Sequence, residues 1–259
     1  MLSVIIPAYN EERTLAAVLE RVLASPVRPE VIVVSDGSTD STPRIVRKYQ
    51  LERGIIGVID AVNRGKGAAI RAGLEWATRK YTLIQDADLE YFPEEYPALL
   101  EPVIRGRAEV VFGSRNLRHP AARKNKFAYL RFWLGGKIVT LAANLLFGTH
   151  LTDEPTCYKL FPTRLLRQMN LQCDGFDFCA EATGQALRRG WRIVEVPIQY
   201  APRDAAAGKK IRARDGIKAV GVLLKQRWLP IQPARYDAGR GEEATVAVER
   251  RIEGLRKAG

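Results

Sequence analysis

The feature that most narrows the folds open to this chain is a pattern repeated through its first half. Short apolar runs each end abruptly in polar, acidic or glycine-rich residues, and a helix-length segment precedes the next run. Residues 2–6 stop at Pro7-Ala8-Tyr9-Asn10-Glu11, and residues 31–34 run into Ser35-Asp36-Gly37-Ser38-Thr39-Asp40. Residues 55–59 lead to Asn63-Arg64-Gly65-Lys66-Gly67, residues 81–85 to Asp86-Ala87-Asp88-Leu89-Glu90, and residues 110–113 to Ser114-Arg115. Runs this short and apolar read as buried strands. Between the first two, Leu15, Val18, Leu19 and Val22 recur at helical spacing, with Asn10 as the expected cap and Glu11 and Glu12 in the first turn. Further helices are expected from Pro43 and from the Gly65-Lys66-Gly67 segment through Ala77. Strands alternating with helices across short connections define an α/β chain with a mostly parallel sheet flanked by helices. Ligands bind such sheets beyond the carboxyl ends of the strands, where Asp36, Asp86, Asp88 and Arg115 all fall.

After about residue 118 the rhythm changes. Residues 123–147 read as one or two helices carrying Phe127, Leu130, Leu134, Ile138, Leu141, Leu145 and Leu146. Strands are expected over 158–161 and 192–200, and a helix over 178–189. The expected organisation is one domain over 1–230, with halves of about 1–117 and 118–230, followed by a polar tail over 231–259.

Charge narrows the function. The net charge is +12, and it is localised: residues 105–137 hold nine Lys/Arg against Glu109 alone, and residues 203–228 hold eight against Asp204 and Asp215. Two such segments suit phosphates or an anionic membrane surface. Nucleic acid is not the expected partner, because no helix-turn-helix or RNA-recognition signature accompanies the charge. Three cysteines without a C-x-x-C pair, and only His119 and His150, argue against a disulfide framework or a thiolate–imidazole metal centre. A metal here would be a hard cation on carboxylate oxygens. No stretch reaches the ~18 apolar residues of a membrane span. The first residues lack a basic leader and read as a strand. The expected location is cytoplasmic, peripheral at the membrane face.

Individual motifs are ambiguous. Asp86-Ala87-Asp88 in extended backbone would point both carboxylates one way, about 6.5–7 Å apart at the backbone. That pair could hold Mg²⁺ or Mn²⁺ with diphosphate oxygens, with Glu90 continuing the i, i+2, i+4 series as a third ligand. The same residues could equally form a solvated acidic turn, and Ser35-Asp36-Gly37-Ser38 is ordinary turn chemistry. Gly65-Lys66-Gly67 begins like a dinucleotide fingerprint, but Ile70 stands at the third glycine position and no Walker sequence is present. It is read instead as a flexible loop opening a helix, able to approach a phosphate.

Taken together, the motifs resemble family 2 glycosyltransferases, in the branch of dolichol-phosphate mannose and glucose synthases and bacterial polyprenyl-phosphate glycosyltransferases. The pieces that carry the resemblance are Pro7–Glu11, Ser35–Ser38, Asn63–Gly67, Asp86-Ala87-Asp88, Gly113-Ser114-Arg115, Thr152-Asp153, Glu181, Glu195–Ile198 and Arg203 with Gly208-Lys209-Lys210-Ile211. They follow in family order from residue 3 to about 216. The chain departs from the pattern at Cys179, where relatives often carry an acidic residue, and at Gly208-Lys209-Lys210 in place of Gly-Lys-Ser-Lys. The resemblance implies a GT-A fold, an inverting reaction and a nucleotide-sugar donor such as GDP-mannose or UDP-glucose. It places Pro7, Tyr9, Glu11, Val34, Asp36, Lys66 and Ala87 around the donor. Asp86 and Asp88 would face the donor diphosphate through Mg²⁺ or Mn²⁺. Arg115, Arg203 and either Lys209 or Lys210 would hold phosphates. Asp88, Asp153 and Arg115 are the implied catalytic residues.

A polyprenyl phosphate brings its own nucleophilic oxygen, with a second pKa near ~6, so that acceptor needs no general base. A soluble hydroxyl acceptor would need one, and Asp153 or Glu154 is the candidate. A nucleotidyltransferase could also set paired carboxylates beside a parallel sheet.

Overall fold

The computed structural model describes residues 1–117, 126–203 and 213–230. The apolar runs become β1 (Leu2–Ala8), β2 (Glu30–Asp36), β3 (Ile56–Asp60), β4 (Tyr81–Ile84) and β5 (Val110–Ser114). The second half adds β6 (Lys159–Pro162) and β7 (Ile193–Pro197). These form one seven-stranded sheet in the order β3-β2-β1-β4-β6-β5-β7. β1 pairs in parallel with β2 and β4, β2 with β3, and β5 with β7, whereas β6 runs antiparallel to both β4 and β5. Two reversals cancel, so β5 points the same way as β4. Ser114-Arg115 therefore emerges on the same edge as Asp36 and Asp86.

The helices are α1 (Leu15–Leu23), α2 (Thr42–Arg53), α3 (Lys66–Leu74), α4 (Tyr96–Ile104), α5 (Lys126–Phe147), α6 (Thr163–Gln168), α7 (Phe178–Arg188) and α8 (Ala213–Trp228). α1 buries Leu15, Val18, Leu19 and Val22 as its spacing predicts, each contributing about 1.5–3 kcal/mol. Its start differs from expectation. The cap is Thr14, and Asn10 sits in the left-handed region at φ 50°, where its side-chain oxygen accepts the Thr39 N–H at 2.8 Å. Glu11 and Glu12 precede the helix and serve the loops instead: Glu11 N–H donates to Thr42 Oγ1, and Glu12 Oε2 accepts the Ser41 N–H. α2 carries its proline in the first turn, as expected, while α3 ends three residues before Ala77.

β1, β2 and β4 are buried on both faces and form the main core with residues from α1, α3 and α4. Four buried residues (Val139, Ala143, Ala180 and Leu223) form a separate, smaller cluster that joins α5, α7 and α8. Among the described residues, no helix is long and apolar enough to cross a membrane.

Candidate active site

The loops after β1, β2 and β3 are tied to one another by side chains that accept backbone N–H groups. Asp36, buried at the end of β2, accepts Arg64 N–H on Oδ1 (2.9 Å) and Gly65 N–H on Oδ2 (2.7 Å). The chain can pass there only because residue 37 is glycine: φ is +64°, and a Cβ would lie 2.2 Å from Asn63 N. Next along the edge, Lys66 opens α3 and donates to Asp86 Oδ1, with Cys157 Sγ 3.4 Å away and the Phe176 ring 5.7 Å below its ammonium. Burial pulls the Lys66 pKa down, but the Asp86 carboxylate outweighs it, so the ammonium stays charged well above the ordinary range. Two of the first N–H groups of α3 are already engaged within the chain. Gly67 and Ala68 donate to Asp174 O at 2.7 and 3.2 Å, and a Cβ on Gly67 would lie 2.1 Å from Cys173 O.

Residues 87–90 turn rather than extend, and Leu89 has φ 64°. This corrects the expected i, i+2, i+4 series. Asp88 Oδ1 accepts the Glu90 N–H at 3.1 Å, and Oδ2 pairs with Arg203 Nη2 at 2.8 Å. Glu90 is directed elsewhere: Tyr200 donates its hydroxyl to Oε2, and the Arg203 N–H donates to Oε1 at 2.8 Å. It anchors the 200–203 segment instead of pointing with Asp86 and Asp88. Burial, together with the charges of Asp86 and Glu90, pushes the Asp88 carboxyl up to about 7 despite Arg203.

These residues surround a pocket of about 400 Å³ at the carboxyl edge of the sheet, lined by Pro7, Tyr9, Glu11, Asp36, Lys66, Asp86, Ala87, Asp88, Glu90 and Arg203 among others. That volume suits a small ligand. Among the described residues, five carboxylates and three cationic side chains line it, so this part of the lining is acidic inside a chain of net charge +12. The donor set is hard oxygen, and no group of three His, Cys, Asp or Glu able to hold a metal occurs among the described residues. Asp86 and Asp88 therefore fit a hard divalent cation only as a pair, with ligand oxygens and water completing its shell.

Three expected site residues lie apart from the pocket. Val34 is fully buried in β2, where its side chain packs toward Gly73 of α3, so it belongs to the core and not the donor wall. Arg115 and Asp153 pair with each other. Arg115 N–H and Nε donate to Asp153 Oδ2 at 2.8 and 2.7 Å, and Nη2 donates to Oδ1 at 2.7 Å. Asp153 is 2% exposed. Its loop is held from β7, where Glu195 accepts the Thr152 and Asp153 N–H groups at 2.7 and 2.9 Å. The Arg115 guanidinium also lies 5.0 Å over the Tyr200 ring. Lys209 and Lys210 lie outside the described residues. The pocket also recruits Phe176 and Arg214. Phe176 was missed, although the Asp174-Gly175 turn just before α7 marks a loop there.

The sequence profile of glycosyl transferase family 2 matches residues 3–169, and the chain belongs to that family. It is therefore a glycosyltransferase, and its sheet is the GT-A fold. It is 31% identical over 237 residues to an undecaprenyl-phosphate mannosyltransferase of Micrococcus luteus, covering 86% of this chain and 92% of the relative. It is 30% identical over 214 residues to a polyprenol monophosphomannose synthase of Mycolicibacterium smegmatis, covering 80% and 79%. Among solved structures, glucosyl-3-phosphoglycerate synthase of Mycobacterium tuberculosis, in complex with Mn²⁺, uridine diphosphate and its product, superposes with a TM-score of 0.65. The identity is 20%, over 89% of this chain and 81% of that one.

Proposed function

We propose that this glycosyltransferase moves a hexose, mannose or glucose, from a nucleoside-diphosphate sugar to a polyprenyl phosphate, with inversion, at the surface of a membrane. The observation that carries the donor half is the charge of the pocket. A diphosphate entering a site whose described lining holds five carboxylates and three cations is repelled unless more positive charge comes with it. A divalent cation on Asp86 and Asp88 would supply that charge and stabilise the departing diphosphate. The acceptor half rests on the relatives, which are named for polyprenyl-phosphate mannosyl transfer.

The chain's own residues then have definite tasks. Asp36 fixes the 63–65 loop, so Asn63 and Gly65 are set along the donor before it arrives. Arg203, already paired with Asp88 and Glu11, supplies a cation beside the leaving group. The acceptor's phosphate oxygen attacks the anomeric carbon from the face opposite the nucleotide. The bond from that carbon to the β-phosphate oxygen breaks, and its electron pair leaves with the nucleoside diphosphate. No protein base enters the step. Asp153, with both oxygens on Arg115, is a positioning residue in this account, so the hydroxyl-acceptor alternative gains no support.

The test is transfer of label from GDP-mannose or UDP-glucose to a short-chain polyprenyl phosphate with Mg²⁺ or Mn²⁺, followed by an organic–aqueous split. Label in the organic phase that EDTA abolishes is the expected result. Label that reaches only soluble hydroxyl acceptors would overturn the acceptor assignment.

A further inference from the structure

Eight of the large apolar side chains left exposed by the fold lie on α5, on α8 or just after α8: Leu134, Ile138, Leu141, Leu145, Ile217, Leu224, Trp228 and Leu229. Helical periodicity orders them. Leu134, Ile138, Leu141 and Leu145 are spaced by four, three and four residues and form one stripe along α5. Ile217, Leu224 and Trp228 form another along α8, with Gly221 between them. Both stripes turn away from Val139, Ala143 and Leu223, through which the two helices pack onto Ala180 of α7. These residues are not marginally exposed: Leu145 is 77%, Ile217 76% and Trp228 72% accessible. Apolar surface gathered on one pair of helices marks an interaction site.

The charge around the stripes identifies the occupant. α5 and α8 together carry seven Lys/Arg and a single acidic residue, Asp215. On α8, exposed Arg214, Lys218 and Lys225 flank the apolar stripe on one side and Arg227 flanks it on the other. A second copy of this chain would set these basic borders against each other across a two-fold axis. An anionic bilayer instead takes the apolar side chains at its acyl boundary and the cations at its headgroups. Trp228, near the end of α8, suits that interface. The stripe also meets the pocket. Arg214, in the first turn of α8, lines the pocket, and Ile217 begins the apolar stripe one turn later.

We infer that the outer face of α5 and α8 docks on anionic lipid, so that a membrane-held acceptor phosphate reaches the pocket along the first turn of α8. The inference rests on the polyprenyl-phosphate reading for the acceptor; the docking itself rests on the surface alone.

The test uses flotation of the full chain with vesicles of phosphatidylcholine containing 30% phosphatidylglycerol, and with phosphatidylcholine alone, as order-of-magnitude conditions for an anionic leaflet. The expected result is binding to the anionic vesicles that weakens with salt. It should fall about tenfold or more in Leu141→Asp/Leu145→Asp or in Trp228→Asp, and about fivefold per residue in Lys218→Glu and Lys225→Glu. Transfer to a short-chain, water-soluble polyprenyl phosphate without vesicles is measured on the same variants and should be unchanged, which separates docking from folding and chemistry. Wild-type transfer to the short acceptor without vesicle binding would overturn the docking and leave the function standing. Vesicle binding without any transfer would overturn the function and leave the docking standing. A wild-type dimer that the stripe substitutions convert to monomer, with no vesicle binding, would assign the face to a second copy and overturn the inference.

Discussion

The carboxyl edge of the sheet and the paired outer helices solve opposite problems. At the edge, loops are locked by carboxylates that accept backbone N–H groups, as with Asp36 on Arg64 and Gly65 and Glu195 on Thr152 and Asp153. The Asp36 lock stands on a strand buried on both faces and the Glu195 lock on the half-buried edge strand β7. Among the described residues, the outer helices meet α7 through the small buried cluster of Val139, Ala143, Ala180 and Leu223 and leave whole rows of leucine and isoleucine in the open. One region holds a small polar ligand in fixed geometry. The other packs α5, α7 and α8 closely on one another but leaves a large apolar surface that a soluble core would have covered. A fixed donor site can thus be joined to a face that gains from contact with something else.

Four outcomes would break or sharpen that contrast. The largest is chemical: Asp88→Ala should lower metal-dependent transfer about 1000-fold, read as initial rates, while circular dichroism stays unchanged. A loss of only a few-fold would remove Asp88 from the donor site. Next, Gly67→Ala forces a Cβ to within 2.1 Å of a backbone oxygen, Cys173 O. It should cost about 3 kcal/mol in urea unfolding and loosen Lys66 against Asp86, with weaker donor binding.

Leu223→Ala removes one of the four members of the small cluster. It should cost about 2–3 kcal/mol. Its amide-exchange signature should be confined to α5, α7 and α8, with nucleoside-diphosphate affinity unchanged. Loss of that affinity would show that the two regions are not separable.

The smallest effect concerns pH. The Asp88 carboxyl, ordinarily near 3.8, is pushed up to about 7 by burial and by Asp86 and Glu90. Between those values the native chain binds more protons than the unfolded chain, so this group makes stability fall as pH rises from about 4 to about 7. Asp88→Asn should flatten that slope and stabilise the cation-free protein by about 1–3 kcal/mol at pH 8. Divalent cation affinity should rise over the same pH window. A slope unchanged in Asp88→Asn would assign it to another group.

The sequence announced much of the edge and little of what lies between its parts. Strand runs that stop at Asp36 and Asp86, and the stripe through Leu15, Val18, Leu19 and Val22, survive because they encode burial with a local period. The direction of β6 had no such signal, since a four-residue strand of Lys159-Leu160-Phe161-Pro162 reads the same in both senses. Glu90 was misplaced because counting by twos assumes extension, and Leu89 turns the chain with φ 64°. Val34 was placed at the donor by resemblance alone, which does not tell which side chains of a strand buried on both faces pack into the core. The Arg115–Asp153 pair joins residues 38 apart in sequence, and Phe176 reaches the pocket from a loop before α7. Contacts of that kind are set by the fold and leave no local pattern. Residues 127–147 gave their apolar stripe plainly, but not that α8 would present a second stripe beside it.

The most direct measurement of the account is calorimetric titration of GDP and UDP, with and without Mn²⁺, into the wild-type chain, Asp88→Asn and Glu90→Gln. The account predicts that one of the two nucleotides binds wild type only when Mn²⁺ is present. It predicts that Asp88→Asn loses the Mn²⁺-dependent binding and that Glu90→Gln keeps the dependence on Mn²⁺. Equal nucleotide binding with and without the cation, or a cation requirement that survives in Asp88→Asn, would contradict it.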